Sequence, residues 1–307
     1  MWLPAENLDP FNRLLVRLEQ DLLAVLRGTA RVEDLGSSPL LHDLFRLVDG
    51  NPHQAVLMTR IKSGHAMTPR HGINVMLLAR AWAVSSHKIG NKLFDFSLAA
   101  LLHDIGHWFP DDLVYVFGPF THDEARSMRE HVTLIKVGSE LLTEEMRAWI
   151  RQHHEQPDGR GYPLGIDNPS LLSQVLRIAD CFEGLTTPRR FRPPFTPHKA
   201  MTLLSRWAGY KFGAGLFRSF EEFMGRFPPG SFIRLEDGRA GVTLPGPAGT
   251  TECLVLADKD GDTFEEPVIA TLSSTDIRAE LQGYHGLRLP ERWAGLRPDL
   301  MGLPRFY

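Results

Sequence analysis

The spacing of apolar residues predicts that most of the chain is helical. Over long stretches these residues recur every three or four positions, which is the period of one helix face. This period predicts helices over residues 11–27, 40–48, 69–82, 94–102, 123–142, 144–153, 171–185, 197–207 and 216–223. Thr68 and Pro69 form a helix-start signal, as a cap and a first-turn proline.

The pattern changes after Pro228-Pro229-Gly230. Two short alternating runs surround Asp237-Gly238, and two more surround Asp260-Gly261, a combination typical of β-hairpins. The sequence therefore predicts a mainly α fold with a small C-terminal β module that ends in a loose tail. We expect an N-terminal helical region at 1–60, a helical domain at 61–227 and the β-rich part at 228–307.

The predicted helix over 11–27 has one strongly apolar face, which two structures can explain, and packing on the core is the simpler. The face can pack against the main core, or it can serve a dimer-forming or regulatory helix. The sequence alone leaves both readings open, and a homodimer is one of them.

Composition and charge exclude some classes of protein. The 307 residues carry 34 basic and 37 acidic side chains, for a net charge of −3, which argues against binding a nucleic-acid polymer by bulk electrostatics. No apolar run reaches the roughly 18 residues of a membrane span, and the first residues lack a signal-peptide pattern. Cys181 and Cys253 stand in no metal or redox spacing. We therefore expect a reduced, cytoplasmic protein.

Several residues of metal-binding type occur at predicted helix ends. Adjacent side chains on a helix diverge by about 100°, so His103 and Asp104 can face one point only where the helix ends, and Gly106 supports such an end. An ordinary polar helix end is the alternative. Further candidates lie on, or at the ends of, other predicted helices: His71, His131, His153, His154 and Asp180.

Each of these histidines taken singly is more typical of a satisfied core residue than of a metal ligand. Five imidazoles and two carboxylates in one helical domain are harder to explain in that way. Mixed histidine and carboxylate sites suit Fe, Mn or a zinc pair. A carboxylate that bridges two cations holds them about 3.5–4 Å apart, and such a pair acidifies a water that can attack phosphorus.

A glycine- and proline-rich stretch follows the paired histidines. It reads H-E-Q-P-D-G-R-G-Y-P-L-G-I-D over residues 154–167, and its composition favours a fixed loop over a helix.

The order and spacing of four motifs resemble the HD-GYP phosphodiesterases, a branch of the HD metal-dependent phosphohydrolase superfamily. The motifs are H-D-I-G, H-H-E, D-G-R-G-Y-P and I-A-D followed by L-T-T-P-R-R-F-R. The match covers roughly residues 61–207, about half of the chain. It implies an HD-type helical bundle with N-terminal helices before it and the small β module after it.

The resemblance assigns ligands to two divalent metal ions, Fe or alternatively Mn. The residues that match the ligands of one ion are His71, His103, Asp104 and Asp180. Asp104 would bridge to a second ion, whose other ligands match His131, His153 and His154.

Two further groups of residues match substrate-contacting positions of the family. Gly161, Tyr162 and Pro163 match the motif that names it, on a loop next to the site. Arg189 and Arg192 match basic positions that hold substrate phosphates, which suits the planar fork of arginine. A solvated basic turn is the alternative for these two arginines.

The chain departs from the family pattern at two positions. His107 stands where many members have a lysine after H-D-I-G. The catalytic candidates are therefore Asp104, as the bridging ligand, and His107. His107 can donate a proton to a phosphate oxygen or to the leaving oxygen, or it can be an inert replacement. Met67 stands where members with a third metal have a glutamate, so we expect two metal ions.

The leading hypothesis is a phosphodiesterase that hydrolyses cyclic di-GMP, or a related cyclic dinucleotide, to pGpG and GMP. The alternative is a weak or inactive receptor that binds the nucleotide and signals through a protein partner. A third hypothesis, an HD hydrolase acting on another phosphoester, predicts no competition by cyclic di-GMP. The resemblance also suggests a GGDEF-domain protein as a partner.

Overall fold

A computed structural model describes residues 5–26, 29–60, 69–86, 89–104, 122–133, 141–187, 193–245, 250–273 and 275–282. The structural statements below concern these ranges. Their helices are α1 (Ala5–Leu26), α2 (Glu33–Gly36), α3 (Pro39–Gly50), α4 (Pro52–Met58), α5 (Pro69–Ser86), α6 (Leu93–Leu102), α7 (His122–Arg129), α8 (Glu144–Gln152), α9 (Leu171–Thr186), α10 (Pro197–Trp207) and α11 (Ala214–Met224). The predicted mainly α fold with a C-terminal β module is confirmed.

Helix α5 is the centre of the helical body. Its residues from Pro69 to Ala83 are buried on every side, and it contacts α1, α3, α4, α6, α9 and α11. A helix that is buried around its whole circumference lies inside a core. His71, in the first turn of α5, is thereby carried into the interior.

The amphipathic helix α1 packs its apolar face on this core. Leu15, Leu18 and Leu22 are fully buried there. Beside them, Glu19 accepts hydrogen bonds from Arg70 Nε at 3.1 Å and from Arg70 Nη2 at 2.5 Å. The core-packing interpretation of this helix therefore accounts for its apolar face, and the homodimer stays a prediction.

The helix predicted over 123–142 is wrong as one continuous element. Helix α7 ends at Arg129, and a tighter 3₁₀ turn follows at Glu130–Val132. His131 and Val132 are buried in this turn. A 3₁₀ turn is wound more tightly than an α-helix, so the side chains after Arg129 do not continue the period of α7.

Helix α4 was not predicted, because its start signal resembles a stop. The run Asp49-Gly50-Asn51-Pro52 ends α3, yet Asn51 also accepts a hydrogen bond from the backbone N–H of Gln54 at 3.1 Å. Asn51 is therefore the N-cap of α4, with Pro52 in its first turn.

The C-terminal part forms one antiparallel sheet. Its strands are β1 (Phe232–Leu235), β2 (Ala240–Leu244), β3 (Thr251–Ala257), β4 (Thr263–Leu272) and β5 (Ile277–Glu280), in the order β4-β3-β2-β1-β5. The two predicted hairpins, β1–β2 and β3–β4, are confirmed. Strand β5 lies beyond the two predicted hairpins, and it pairs with β1 in the register Ile233 to Glu280.

Glu280 also joins the sheet to the helical body. Its carboxylate accepts hydrogen bonds from the Thr196 hydroxyl and, at 2.9 Å, from the backbone N–H of His198 at the start of α10. The predicted domain boundaries themselves stay a prediction. Within the described ranges, no helix is long and apolar enough to cross a membrane.

Candidate metal centre

The ends of several helices meet beside the start of α5. Asp104 follows the end of α6, the pair His153-His154 follows the end of α8, and His131 lies in the 3₁₀ turn after α7. Helix α8 begins at its N-cap Thr143, whose hydroxyl oxygen accepts a hydrogen bond from the Met146 N–H at 3.2 Å. The chain thus gathers polar side chains that are far apart in sequence.

The gathered side chains form two groups that share one carboxylate. One group is His71, His103 and Asp104, and the other is Asp104, His131, His153 and His154. Within each group the candidate ligand atoms all lie within 4.8 Å of one another. The side chain of Asp104 lies between the groups: its Oδ2 is 3.3 Å from His71 Nε2, and its Oδ1 is 3.3 Å from His131 Nε2.

Asp180, in the middle of α9, faces the first group. Its Oδ1 lies 3.3 Å from His71 Nε2 and 3.9 Å from His103 Nε2. Burial alone would raise the pKa of Asp180, but the hydrogen bond and attraction to His71 outweigh it and lower the pKa. All seven side chains that the sequence named as ligands therefore lie around one point.

The ring orientations of two histidines fit a divalent metal. The Nδ1 of His103 lies 2.8 Å from the carbonyl of Ala100, and the Nδ1 of His153 lies 2.6 Å from the carbonyl of Ile150. A carbonyl oxygen only accepts, so each Nδ1 carries the proton and each Nε2 keeps its lone pair. Both Nε2 atoms are buried and have no hydrogen-bond partner in the described part of the chain. Such orphaned lone pairs, turned toward a carboxylate, are the donors that a divalent cation needs.

His71 is oriented by a second carboxylate. Its Nδ1 donates to Glu183 Oε2 at 2.5 Å, and the same carboxylate accepts from the Asn74 amide and the Thr187 hydroxyl. Burial would lower the pKa of His71, but the charge of Glu183 and the acceptor carboxylates of Asp104 and Asp180 raise it well above its ordinary value. A carboxylate behind the ring is the usual partner of a metal-bound histidine.

The paired histidines are held as neutral imidazoles. Burial, followed by the neighbouring His103 and His131, lowers the pKa of His153 to about 3. Burial and the same kind of neighbours lower the pKa of His154 as well, and Arg177 contributes. The neutral ring is the form that binds metal, so these two histidines need no deprotonation near neutral pH.

The loop with Gly161, Tyr162 and Pro163 lies against this second group. The Tyr162 ring stacks on the His154 ring with centroids 4.6 Å apart and planes 20° apart. A Cβ on Gly161 would stand 2.4 Å from the Cα of Glu155, so only glycine fits there. Pro163 follows at the exposed surface of the loop. The motif thus lies next to the second ligand group, and its contact with substrate stays a prediction.

Three predicted site residues lie outside the described residues: His107, Arg189 and Arg192. Their proton-donating and phosphate-binding roles stay predictions, as does the expectation based on Met67.

Three residues next to the site were given no role by the sequence. Glu183 lies one turn after Asp180 on the same face of α9, a spacing that could have shown it. Arg177 donates from Nη1 to the His153 carbonyl at 3.3 Å, a contact between residues 24 positions apart. Glu155 is fully buried directly after the paired histidines. Only the folded structure shows what these side chains contact.

Comparison with known proteins agrees with this architecture. A family model described as the HD domain matches residues 51–216, more than half of the chain. A cyclic di-GMP phosphodiesterase from Pseudomonas aeruginosa is 28% identical over 222 residues, which are 69% of this chain and 53% of that protein. A 3'3'-cGAMP-specific phosphodiesterase from Vibrio cholerae is 29% identical over 35% of this chain and 26% of its own length.

Among solved structures, an HDG"Y"P protein from Bdellovibrio bacteriovorus matches with a TM-score of 0.54 at 18% identity. The match covers 68% of this chain and 69% of that one, and it concerns the fold. The chain spans about half the length of its Pseudomonas relative and about a quarter of its Vibrio relative. The resemblance to HD-GYP phosphodiesterases predicted from the motifs is confirmed, and this chain belongs to the HD-domain family.

Proposed function

We propose that this chain is a metal-dependent phosphodiesterase that hydrolyses cyclic di-GMP, or a related cyclic dinucleotide, to pGpG and GMP. One observation carries the proposal: two groups of buried ligand-type side chains share the carboxylate of Asp104. A shared carboxylate is how binuclear hydrolytic sites hold two ions a few ångströms apart. The names of the relatives, cyclic di-GMP and 3'3'-cGAMP phosphodiesterases, support the substrate class.

The seven side chains divide into two ligand sets in this proposal. His71, His103 and Asp180 would hold one divalent ion, His131, His153 and His154 the other, and Asp104 both. Fe is the proposed metal and Mn the alternative, because mixed imidazole and carboxylate ligands suit both. Bound divalent ions supply Lewis acidity, which polarises a phosphodiester and lowers the pKa of a water.

The chain's own residues then bind and orient the substrate. Tyr162, stacked on His154 and half-buried, offers its ring beside the second set as a wall for the nucleotide. Arg189 and Arg192 are proposed to bind phosphate oxygens. Hydrolysis adds a water to phosphorus and breaks the bond to the 3′ oxygen, and His107 is the proposed proton donor to that leaving oxygen.

The test combines metal content and turnover on one sample. Anaerobically purified protein is analysed for metals, and cyclic di-GMP hydrolysis is assayed on the same material. About two Fe or Mn per chain together with pGpG is the expected result. Nucleotide bound without turnover, across several metals, would favour the receptor instead. An Asp104→Ala variant that keeps full metal content and activity would refute the mechanism.

We also propose a cytoplasmic location, which fits Cys181 and Cys253, both of which are free thiols. A GGDEF-type protein partner and a homodimer stay predictions. Pull-down with a GGDEF protein and the mass in solution are the measurements that check them.

A further inference from the structure

Glu155 is a fully buried carboxylate that belongs to neither ligand group. It follows the paired histidines directly and has no exposed surface. Its Oε1 accepts from the backbone N–H groups of Leu164 at 2.6 Å and Gly165 at 3.1 Å. Its Oε2 accepts from the backbone N–H of Ile166 at 3.1 Å. The Glu155 side chain, next to His153 and His154, thus accepts hydrogen bonds from three consecutive backbone amides at the other end of the loop.

These three contacts form a strong local constraint. Hydrogen bonds to an ionised carboxylate are roughly twice as strong as neutral ones. Consecutive backbone N–H groups that converge on one anion form a nest, which neutralises part of the buried charge. The contacts therefore fix residues 164–166 relative to Glu155, and the loop closes on itself.

The middle of the closed loop contacts the second ligand group. Gly161 lies directly on the backbone of Glu155, with no room for a side chain. The next residue, Tyr162, donates its backbone N–H to the His154 carbonyl at 3.3 Å, and its ring stacks on His154. Anchoring the far end of the loop on Glu155 keeps these contacts in place.

We propose that Glu155 is a positioning residue for the ligand group His131, His153 and His154. It acts through the loop, by holding Tyr162 on His154, and has no contact with the metal or the substrate. The inference rests on the metal site of the proposed function. The other group is held by α5, α6 and α9, so the effect of Glu155 is confined to one of the two metal positions.

The test is a metal titration of Glu155→Gln. The amide keeps the size of the side chain, but it loses the charge and turns an NH₂ group toward three N–H donors. Metal-depleted protein is titrated with Mn²⁺ against a chromophoric chelator, in the absence of nucleotide. One of the two metal equivalents is expected to bind about tenfold more weakly, the lower end of the 10- to 100-fold effect of groups that orient ligands. The other equivalent keeps its affinity.

Asp158→Asn is the matched control on the same loop. This exposed carboxylate accepts a single backbone N–H, that of Arg160 at 3.0 Å, and it touches neither the nest nor the histidines. We expect it to bind both equivalents like the wild type. Amide hydrogen exchange of residues 164–166 gives a second readout, because it accelerates in Glu155→Gln and stays slow in the control.

The outcomes separate this inference from the proposed function. If Glu155→Gln exchanges its 164–166 amides quickly yet binds both metal equivalents normally, the positioning role is refuted. Unchanged amide exchange refutes the anchor itself. A wild type that binds two metals but cleaves no cyclic dinucleotide refutes only the phosphodiesterase, whereas a chain that binds no metal refutes both. Should the glutamine variant fail to fold, Glu155→Asp, too short to reach all three amides, is expected to show the same selective loss.

Discussion

The clearest test of the candidate metal centre is the substitution Glu183→Gln. Glu183 lies behind His71, and only 2% of its side chain is exposed. Its Oε2 receives the His71 Nδ1–H at 2.5 Å. Glutamine has the same shape, and its oxygen can still accept this hydrogen bond without the charge. Its NH₂ group then replaces the oxygen that accepts from Asn74 and Thr187, so stability is measured beside metal affinity.

The magnitude follows from the hydrogen bond that is weakened. A charge-assisted hydrogen bond contributes about 1.5–3 kcal/mol, and a neutral one is roughly half as strong. The substitution should therefore weaken the free energy of metal binding by about 0.7–1.5 kcal/mol. At about 1.4 kcal/mol per factor of ten, this is a loss of roughly 3- to 12-fold in affinity. The range overlaps the effect seen when carboxylates behind metal-bound histidines are replaced.

The assay is a competitive Mn²⁺ titration of metal-depleted protein, with thermal unfolding measured in parallel. Glu19→Gln is the control, because Glu19 accepts hydrogen bonds from Arg70, the neighbour of His71, on the side facing α1. The control loses a comparable contact on the same helix but leaves His71 Nε2 untouched. It is expected to change stability without changing metal affinity.

Two results would contradict this reasoning. Metal affinity within twofold of the wild type would show that Glu183 does not orient a ligand. An equal loss of affinity in Glu19→Gln would show that metal affinity depends on the general stability of α5. The hydrogen bond between His71 and Glu183 would then not be the cause.

Two further predictions concern packing. Gly161→Ala should destabilise the chain by about 1–3 kcal/mol in chemical unfolding, because the new Cβ meets the backbone of Glu155. Its control is Gly215→Ala, which has open space around the new Cβ and should change the free energy of unfolding by less than about 1 kcal/mol. Leu22→Ala removes a fully buried side chain of α1 and should cost about 2–5 kcal/mol, whereas Val16→Ala, 45% exposed, should be nearly neutral. Equal effects within either pair would contradict the packing described for the loop or for α1.

Local features determined much of this fold from sequence alone. The helical period placed the central helices, and α10 occupies the predicted 197–207 because Pro197 can begin a helix but not continue one. Asp-Gly pairs marked both hairpins, since only a few residues adopt such turns. The candidate ligands were also visible, because histidines and carboxylates at helix ends and the motifs around them are properties of short segments.

Features set by distant contacts were decided only by the tertiary structure. The chain changes from an α-helix to a 3₁₀ turn after Arg129, where His131 is buried, and strand β5 pairs with the edge that β1 offers. Glu183 reaches His71 across 112 positions of sequence. Glu155 became an anchor only once the loop returned to it. A local pattern reports what a segment prefers, whereas the partner of a buried polar group depends on which segments the core brings together.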